Sequence, residues 1–552
     1  MYMYGLADKL LRLLTPVAIC LTTYLYLYPI FHGCVFPSRD TSPVSAFTDT
    51  LKQHWPPLCD ADVHPDLSRV PFRLLALADP QLEGDSSLPK PEDGLIPKLR
   101  QYWAKLSTEE RQHWPHSAYE ALQEVALKDL PEALRALRKR LDLFGNDYYL
   151  GHIYRTLHWW TKPTHVAVLG DLIGSQWVTD EEFAWRGWRY WNRVFAGARK
   201  VEDNVTSLSN KDQEMIFDMN DTDWKHRLIN IAGNHDIGYA GDISRRRLDR
   251  FEKIFGKANW DVRFRYPSLN SAKTTTETNL QPSLHLIVLN SLVLDSPALS
   301  EDVQTETFGY LNDLISHRLR PVEDNSSFTL LLTHLPLHKK EGTCVDAPFF
   351  DYWGNDDGGG VYKPHGVREQ NHLSEQTSQR GTLQALFGMS GDLSAPAQGK
   401  GRRGLILTGH DHEGCDVWHY IPPESVESTS EDGNEEKRQT SWDSCRWQHA
   451  NHSNAHTGIR EITLRSMMGD YGGNVGLLSA WFEHETSEWR YHIQMCGLNI
   501  KLWWAVHVVD LIVLCLFGVC LCRRLARPVM ESSTTSTTRP DVSESKRKAP
   551  RR

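Results

Sequence analysis

The sequence of 552 residues predicts an α/β fold, in which buried strands alternate with helices. Short runs rich in leucine, isoleucine and valine recur along the chain, each bounded by turn residues, as in strands that are buried on both faces. Six of these runs end in Asp, Asn or His. A long stretch between the first two runs has apolar residues at helical spacing, which predicts an inserted group of helices.

Six apolar runs give the predicted strands in chain order. They are FRLLALAD (72–79), HVAVLGD (165–171), RLINIAGNHD (227–236), HLIVLN (285–290), FTLLLTHLPLH (328–338) and GLILTGHDH (404–412). Because ligands of open α/β sheets gather outside the carboxyl ends of the strands, the polar residues that end these runs are expected to meet. Three later segments are expected to be closing strands of a second sheet: IREITLRSMMG, NVGLLSAWFEHE and EWRYHIQMCG.

The remaining polypeptide between the strands is predicted from its composition. A helical insertion is expected at about 86–160, where it would cover one edge of the site. Residues 391–403 and 424–441 are polar and rich in turn formers, so we expect exposed loops there. Residues 531–552 are rich in Ser and Thr and then basic, which predicts disorder.

Two apolar segments are about as long as a bilayer is thick, and they predict a membrane protein. Residues 13–31 contain no charge and fit either a membrane anchor or a cleaved signal peptide, although no small-residue cleavage site follows them. Residues 502–522 are followed by Arg523 and Arg524, so the positive-inside rule predicts a cytosolic tail. The part of the chain between the two segments is then expected to be lumenal.

These segments define the predicted organisation. It consists of a cytosolic N-terminus (1–12), a transmembrane helix (13–31), a lumenal linker (32–71), a lumenal catalytic domain (72–500), a second transmembrane helix (502–522) and a cytosolic basic tail (523–552).

Sequons and cysteines agree with a lumenal location. Acceptor triplets for N-glycosylation begin at Asn204, Asn220, Asn325 and Asn451. An even number of cysteines lies outside the apolar segments and predicts disulfides, although six cysteines allow 15 pairings. They are Cys34, Cys59, Cys344, Cys415, Cys445 and Cys496. A zinc cluster is disfavoured because no CxxC spacing occurs. The net charge of −9 gives no electrostatic basis for binding nucleic acid.

Polar residues at the strand ends form a candidate site for two metal ions. A lone Asp after a strand is usually a helix cap, and a lone His is usually a core or surface residue. Carboxylate oxygens, imidazole nitrogens and amide oxygens together are the ligands that hold two divalent cations and leave room for substrate. The candidates are Asp79, Gln81, Asp171, Asn234, His235, His334, His410 and His412.

These endings resemble the motifs of the calcineurin-like metallophosphoesterase superfamily, which read DxH, GDxxD, GNH(D/E), a strand-end His and GHxH. The corresponding segments are ADPQ (78–81), GDLIG (170–174), GNHD (233–236), TH (333–334) and GHDH (409–412). Over residues 72–500 the resemblance implies a four-layer αββα sandwich, with helices outside two packed mixed sheets. It also implies a bridging Asp171, one metal shell completed by Asp79, Gln81 and His412, and another completed by Asn234, His334 and His410.

The resemblance also implies roles in the cleavage of a phosphate ester. His235 is expected to stabilise the transition state or to protonate the leaving oxygen. Asp236 either orients His235 or is a turn residue. Two positions depart from the motifs: Gly174 replaces the second acidic residue of GDxxD, and Gln81 replaces a histidine. Because an amide oxygen is a weaker and harder ligand than imidazole, Gln81 favours Mn²⁺ or Mg²⁺ over zinc.

The sequence that flanks the motifs resembles that of a narrower branch, the fungal endoplasmic-reticulum membrane proteins that act on glycosylphosphatidylinositol (GPI) anchors. The similar segments include ADPQLEGD, NIAGNHDIGYAGD and IREITLRSMMGDYGGNVGLLS. The branch implies a phosphodiesterase that removes ethanolamine phosphate from a mannose of the GPI glycan, with two divalent ions, expected to be Mn²⁺. It further implies a multi-pass membrane protein with a lumenal catalytic domain, and cargo receptors for export as partners.

Two other functions stay open at this point. One is a lumenal metallophosphoesterase for another phosphoester, because metal ligands do not select the leaving group. The other is an inactive membrane scaffold for cargo export that has kept the fold. Six tryptophans are candidates for sugar stacking or an interfacial surface, although core packing in the helical insertion is expected for most of them. They are Trp159, Trp160, Trp177, Trp185, Trp188 and Trp191.

Overall fold

The computed structural model describes residues 2–39, 42–54, 70–84, 91–108, 113–207, 214–267, 281–344, 346–355, 358–422, 442–450 and 458–525. Two compact units make up the chain, one of Tyr26–Lys501 and one of Met1–Leu25 with Leu502–Arg552. The predictions made for residues 424–441, for the tail 531–552, for Cys59 and for Asn451 lie outside the described residues.

The larger unit contains two mixed sheets and a two-stranded ribbon. The strands are β1 (Phe72–Leu77), β2 (His165–Val168), β3 (Arg199–Lys200), β4 (Ile216–Asp218), β5 (Arg227–Asn230), β6 (Trp260–Arg265), β7 (Ser283–Leu289), β8 (Ser327–Thr333), β9 (Phe350–Tyr352), β10 (Val367–Gln370), β11 (Gly404–Thr408), β12 (Cys415–Tyr420), β13 (Asp443–Arg446), β14 (Gly458–Thr463), β15 (Asn474–Glu483) and β16 (Glu488–Gly497). The first sheet has the order β16-β15-β1-β2-β5-β3, and the second has the order β13-β12-β14-β11-β8-β7-β6-β4. All six predicted runs form strands, and β1-β2-β5 and β7-β8-β11 are parallel.

The helices of the described residues come before, between and after these strands along the chain. They are α1 (Tyr2–Tyr26), α2 (Tyr28–Phe31), α3 (Pro43–His54), α4 (Leu95–Thr108), α5 (Trp114–Glu124), α6 (Leu130–Thr161), α7 (Asp180–Arg189), α8 (Asp203–Thr206), α9 (Asn234–Ile237), α10 (Arg245–Phe255), α11 (Glu301–Ser316) and α12 (Ile500–Leu525). A π-helical turn, Val125–Asp129, joins α5 to α6. Helices α4, α5 and α6 occupy the segment where the helical insertion was expected.

The main hydrophobic core lies between the two sheets, because alternate residues of their strands belong to one buried cluster. Leu74 of β1 and Leu286 of β7 are both fully buried in it. Residues on the outer faces meet helices instead. Asn230 of β5 donates a hydrogen bond of 3.0 Å to the last turn of α10, and Thr329 of β8 accepts one from the segment that follows α11. The mixed α/β fold predicted from the sequence is therefore observed.

The C-terminal hairpin differs from the prediction. Strand β14 joins the second sheet as expected, but β15 and β16 belong to the first sheet, where β15 pairs antiparallel with β1. The expectation that all three segments close a second sheet is wrong for these two strands. Apolar β1 has a parallel neighbour on only one side, and the almost wholly buried β15 covers its other edge.

Within the described residues, one helix is long and apolar enough to cross a membrane, namely α12. The first apolar segment, 13–31, is not a single helix. It is divided at Leu27, where α1 has ended and α2 begins with Pro29 in its first turn, a position that tolerates proline. Two spanning helices are therefore not seen, and the crossing at 13–31 stays a prediction.

Two disulfides resolve part of the cysteine pairing. They join Cys34 to Cys496 and Cys344 to Cys415, whereas Cys445 is a free thiol. The first disulfide ties the segment after α2 to the end of β16. Disulfides are typical of oxidising compartments, in agreement with the expected lumenal location.

Candidate metal centre

The site forms where the carboxyl ends of strands from both sheets meet. Asp79 follows β1 of the first sheet, and its Oδ1 accepts a hydrogen bond of 3.1 Å from the backbone of His410, which follows β11 of the second. His334, directly after β8, donates from Nδ1 to the carbonyl oxygen of Leu169 at 2.8 Å. These two bonds join the strand ends of the two sheets, so polar residues from distant parts of the chain share one place.

One group of possible ligands surrounds the side chain of Asn234. Its Oδ1 lies 2.9 Å from His334 Nε2 and 3.0 Å from His410 Nδ1. Ligand atoms of Asp171, His334 and His410 lie within 4.8 Å of one another. The structure thus brings together the four residues expected to form one metal shell.

A second group shares Asp171 with the first. Ligand atoms of Asp79, Asp171 and His412 also lie within 4.8 Å of one another. Gln81 completes this group, because its Nε2 lies 3.0 Å from His412 Nε2 and donates to Asp171 Oδ2 at 3.1 Å. Rotating the amide by half a turn would place its oxygen, the atom able to bind a cation, in the same position.

Hydrogen bonds to the outer ring nitrogens fix which nitrogens face the site. His334 donates from Nδ1 to Leu169, and His410 donates from Nε2 to the carbonyl oxygen of Gln370 at 2.9 Å. Burial lowers the pKa of His334, and burial and the nearby His334 lower the pKa of His410 to about 3. Both rings are therefore neutral near pH 7, and their inner nitrogens present lone pairs to the oxygen of Asn234. Three acceptors that converge without a proton between them suit a cation.

The carboxylates give a second sign that a cation belongs here. Asp79 and Asp171 are both almost fully buried, and Asp79 Oδ2 is a buried oxygen without a hydrogen-bond partner. Burial, together with the charge of Asp171, raises the pKa of Asp79 well above its usual range. Two buried carboxylates need a compensating positive charge. The donor set therefore fits two divalent cations that share Asp171.

The backbone of the site is held in an uncommon conformation. Positive φ angles occur at Asp79 (51°), Gln81 (40°), Asp171 (50°) and His410 (71°), although none of these residues is glycine. Strain of this kind persists where the surrounding structure enforces it, and it is found mainly at functional sites. Here it follows from turning the chain sharply at a strand end so that the side chain enters the shared space.

The glycines of the motifs allow the strand ends to approach. A Cβ atom at Gly170, where φ is +93°, would lie 2.2 Å from His334 Nδ1. A Cβ at Gly409 would lie 2.4 Å from the carbonyl oxygen of Leu169. The glycines of GD and GHDH are therefore required by packing around the candidate ligands.

His235 is placed differently from the candidate ligands. Its ring is partly exposed towards the cleft, with Nε2 3.9 Å from Asp171 Oδ2, while its backbone N–H donates to Asp171 Oδ1 at 2.8 Å. Asp236 accepts three backbone hydrogen bonds, from Leu172, Ile173 and Gly233. The structure thus supports the turn interpretation of Asp236, which ties the GNHD segment to the end of β2 and does not orient His235.

The candidate residues form the floor of an open cleft of about 610 Å³. Its walls come from residues 174–177, from Tyr239 and Asp242, and from Phe349, Trp353 and residues 368–371. None of the described residues of α4, α5 or α6 is among the lining residues, and the coverage of an edge of the site by the insertion stays a prediction. The motifs gave no signal for Gln370, whose carbonyl oxygen anchors His410 from the wall strand β10.

Most of the six tryptophans do not pack in the core as expected. Trp177 lines the cleft, with the Arg247 guanidinium 4.1 Å from the ring centre. Four of the six are exposed, so core packing is wrong for most of them, and only Trp160 is buried. The exposed ones are Trp159, Trp177, Trp185 and Trp188.

The chain is similar to several known proteins over half or more of its length. Protein TED1 from Saccharomyces cerevisiae is 29% identical over 550 residues, which cover 90% of this chain and 94% of that protein. Metallophosphoesterase 1 from Cricetulus griseus is 23% identical over 309 residues, 52% of this chain and 61% of that protein. The Xenopus laevis metallophosphoesterase 1 is 24% identical over 301 residues, with coverage of 52% and 61%. No family model matches the chain.

The relatives and the two overlapping ligand groups both indicate a metal-dependent phosphoesterase. The compared regions reach over half or more of the chain, and the clustered Asp and His residues are those that a metal-dependent phosphoesterase requires. The chain is therefore a metal-dependent phosphoesterase whose sequence and site are similar to those of the calcineurin-like metallophosphoesterases, in the branch of Protein TED1 and metallophosphoesterase 1.

Proposed function

We propose that the protein is a lumenal phosphodiesterase of the endoplasmic reticulum that removes ethanolamine phosphate from a mannose of the GPI-anchor glycan. The observation that carries this proposal is the pair of ligand groups sharing Asp171 on the floor of an open cleft. A diester has a substituent on each side of the phosphorus, and an open cleft accommodates both. The choice of substrate rests on two similarities. The segments around the motifs resemble those of the GPI-anchor branch, and the chain is similar to Protein TED1 over 90% of its length.

In this proposal two divalent ions, expected to be Mn²⁺, occupy the two groups. Asp171 would contact both, with Asp79, Gln81 and His412 around one ion and Asn234, His334 and His410 around the other. Bound there, the ions would polarise the phosphoryl oxygens and bring the pKa of a water molecule towards neutrality. The hard oxygen donors of Asp79, Gln81 and Asp171 favour Mn²⁺ or Mg²⁺ over zinc at the first position.

His235 would then serve the leaving group. Its ring faces the cleft and is not tied to a carbonyl oxygen as the rings of His334 and His410 are. When the bond between phosphorus and the mannose oxygen breaks, the proton on Nε2 can pass to that oxygen, and a water molecule supplies the new oxygen on phosphorus. Asp171 Oδ2, 3.9 Å away, would help to direct the ring into the cleft.

The proposed location follows from the membrane helix and the compartment signals. Helix α12 would hold the catalytic unit at the membrane of the endoplasmic reticulum, with the basic tail in the cytosol and a further crossing at 13–31. A tether of this kind raises the effective concentration of the enzyme near a glycolipid. Asn204, Asn220 and Asn325 are exposed, as glycan acceptors must be. Receptors for cargo export are proposed as partners, because trimmed GPI-anchored proteins leave this compartment.

A substrate panel tests the proposal. The purified full-length chain with Mn²⁺ is expected to release ethanolamine phosphate from a mannoside much faster than it cleaves nucleotides or phosphoserine peptides. Asp171→Asn is the inactive control, since it removes the shared carboxylate. The opposite preference would contradict the GPI assignment while leaving the phosphoesterase assignment intact.

Cells that lack the protein provide the second test. Mass spectrometry of their GPI glycans is expected to find retained ethanolamine phosphate, and the wild-type gene should reverse this while Asp171→Asn should not. Reversal by the Asp171→Asn variant would favour a scaffold without catalysis. Well-folded protein with less than one divalent ion per chain would favour it as well.

A further inference from the structure

An exposed row of apolar side chains runs along the helical insertion. Within the π-helical turn and α6, these residues are spaced alternately by three and four positions, which places them on one face of the helix. Their side chains are between 43% and 72% exposed. We call this face the leucine stripe; it consists of Leu127, Leu130, Leu134, Leu137, Leu141 and Phe144.

The stripe continues onto α5 because of the π-helical turn. Tyr119 and Leu122 are also exposed, at 66% and 67%, but Leu122 and Leu127 are five positions apart. A π-helical turn adds one residue to the helix, so a spacing of five across Val125–Asp129 has the effect of a spacing of four. The turn therefore keeps the apolar face continuous over both helices.

Another face of α6 is already fixed against the protein. The carboxylate of Asp129 accepts hydrogen bonds from Lys98 at 2.7 Å and from Tyr102 at 2.9 Å, both on α4. Asp147, fully buried, forms ion pairs with Arg189 at 2.6 Å and with Arg193 at 3.0 Å. These contacts set the rotation of the helix and leave the stripe facing outwards. An outward apolar row of this length needs an apolar partner.

The charges beside the stripe decide which partner fits. Arg138 follows Leu137 and Arg140 precedes Leu141, so the two arginines flank the row on opposite sides, and both are exposed. Arg138 also lies 3.7 Å from Asp142, but that pair is open to solvent and weak. In an antiparallel coiled coil of two copies centred on these residues, each flanking arginine would face the same arginine of the other copy, which brings like charges together. A phospholipid surface instead offers phosphate groups beside an apolar interior.

Aromatic rings extend the stripe on one side. Trp185 and Trp188 are exposed and stack with their ring centres 5.0 Å apart. The Arg193 guanidinium lies within 6 Å of the centres of both rings and of Phe144. Tryptophan and arginine beside an apolar row are typical of protein surfaces at the boundary between lipid headgroups and acyl chains.

We propose that the leucine stripe lies on a phospholipid bilayer, with its apolar side chains at the level of the upper acyl chains and Arg138 and Arg140 at the phosphates. The proposal goes beyond the phosphoesterase activity, since none of the stripe residues lines the cleft. The candidate membrane helix α12 keeps the chain at a bilayer, so even a weak surface contact would be populated.

Footprinting of the full-length chain tests this contact. The protein is placed in nanodiscs of phosphatidylcholine at one copy per disc, and hydroxyl radicals label exposed side chains. Leu319 and Leu393, 62% and 71% exposed on other parts of the surface, serve as internal controls. Leu134 and Leu137 are expected to react at least about fivefold more slowly than the controls, because side chains at the acyl boundary are shielded from water.

Equal reaction rates for the stripe and the controls would overturn the proposal. Shielding that appears only in discs with two copies would also overturn it, because a second copy would then cover the stripe. The triple variant Leu134→Asp, Leu137→Asp, Leu141→Asp should restore fast labelling of Leu127, whereas Leu319→Asp should not. Unchanged shielding of Leu127 in the triple variant would contradict lipid contact. Cleavage of a soluble substrate by that variant should be unchanged, which separates this test from the proposed function.

Discussion

Replacing Asp79 by asparagine tests directly whether the site is built for cations. In the folded chain without metal, ligand oxygens of Asp79 and Asp171 lie no more than 4.8 Å apart, both residues are buried, and one oxygen of Asp79 has no hydrogen-bond partner. Asparagine has nearly the same shape and removes one of the two charges. We therefore expect Asp79→Asn to stabilise the metal-free protein, although the same change should abolish activity.

The structure sets the size of this effect. Two unit charges 4.8 Å apart repel by about 3.5 kcal/mol at an effective dielectric constant of about 20. Uptake of a proton by Asp79, whose pKa is raised by burial and by Asp171, relieves part of this repulsion. A gain of about 2 kcal/mol in the free energy of unfolding remains, which corresponds to roughly 4 °C in Tm for a large domain.

Bound metal should stabilise the wild type more than the Asp79→Asn variant. A cation at one hundred times its Kd stabilises the folded state by about 2.7 kcal/mol, so two occupied positions raise Tm by roughly 10 °C in the wild type. The Asp79→Asn variant has lost a ligand of one position, and about half of that rise should remain. The wild type should therefore have a lower Tm than the variant in chelator and a larger rise in Tm when metal is added.

Differential scanning fluorimetry of the full-length chain, after chelation and after addition of Mn²⁺, measures both quantities. Asp236→Asn is the matched control, because Asp236 is equally buried but accepts three backbone hydrogen bonds. That variant should lose stability with and without metal. The reasoning would be refuted if Asp79→Asn melted below the wild type in chelator, or if it gained as much from Mn²⁺ as the wild type.

Three further outcomes are expected. His235→Ala should retain near-normal metal content but lower kcat by about 10²–10⁴-fold, as measured by metal analysis and turnover of a mannoside, and loss of metal would contradict its role. Gln81→His should keep activity and shift preference towards zinc, whereas Gln81→Ala should need more Mn²⁺; equal activity of Gln81→Ala at limiting Mn²⁺ would exclude Gln81 as a ligand. Burial alone would raise the pKa of Glu461, but Lys339 and His419 lower it from 4.5 to about 2. Its carboxylate should therefore stabilise the fold above pH 4.5 and lose up to about 3 kcal/mol of that stabilisation as the pH falls towards 2. Acid unfolding followed by circular dichroism should depend less on pH in Glu461→Gln, and an unchanged dependence would exclude this role.

The candidate site could be predicted because its determinants are local. Each candidate residue lies within five positions after the end of a strand whose apolar run is visible in the sequence, and parallel strands bring such ends to one edge. The glycines of the motifs mark places where a Cβ would collide with a neighbouring strand end, as at Gly170 and Gly409. Even Asp79 and Gln81 could be singled out, although nothing in the sequence indicates their positive φ angles.

Features that depend on long-range packing could not be predicted. Gln370 lies on a short strand after a long connection, and its contribution is a backbone carbonyl oxygen, which any residue type supplies. The pairing of β15 with β1 joins segments at least 400 residues apart, and an apolar pattern does not specify its partner. The exposed tryptophans were misjudged for a related reason, since helical spacing shows that a helix has an apolar face but not whether the protein core covers it.

The two ligand groups differ in charge, and this bears on the substitution at position 81. Besides the shared Asp171, one group contains the carboxylate of Asp79, whereas the other contains only the neutral side chains of Asn234, His334 and His410. If both groups hold cations as proposed, the Asp79 group has the greater negative charge and the harder donors, and it should fill first. An amide at Gln81 in place of an imidazole weakens cation binding in the Asp79 group. Because this group has the greater negative charge, we expect it to tolerate the weaker ligand. The same substitution at His334 or His410 would weaken a ligand in a group where no second carboxylate compensates, so we expect the departure from the motif to cost less at position 81 than it would there.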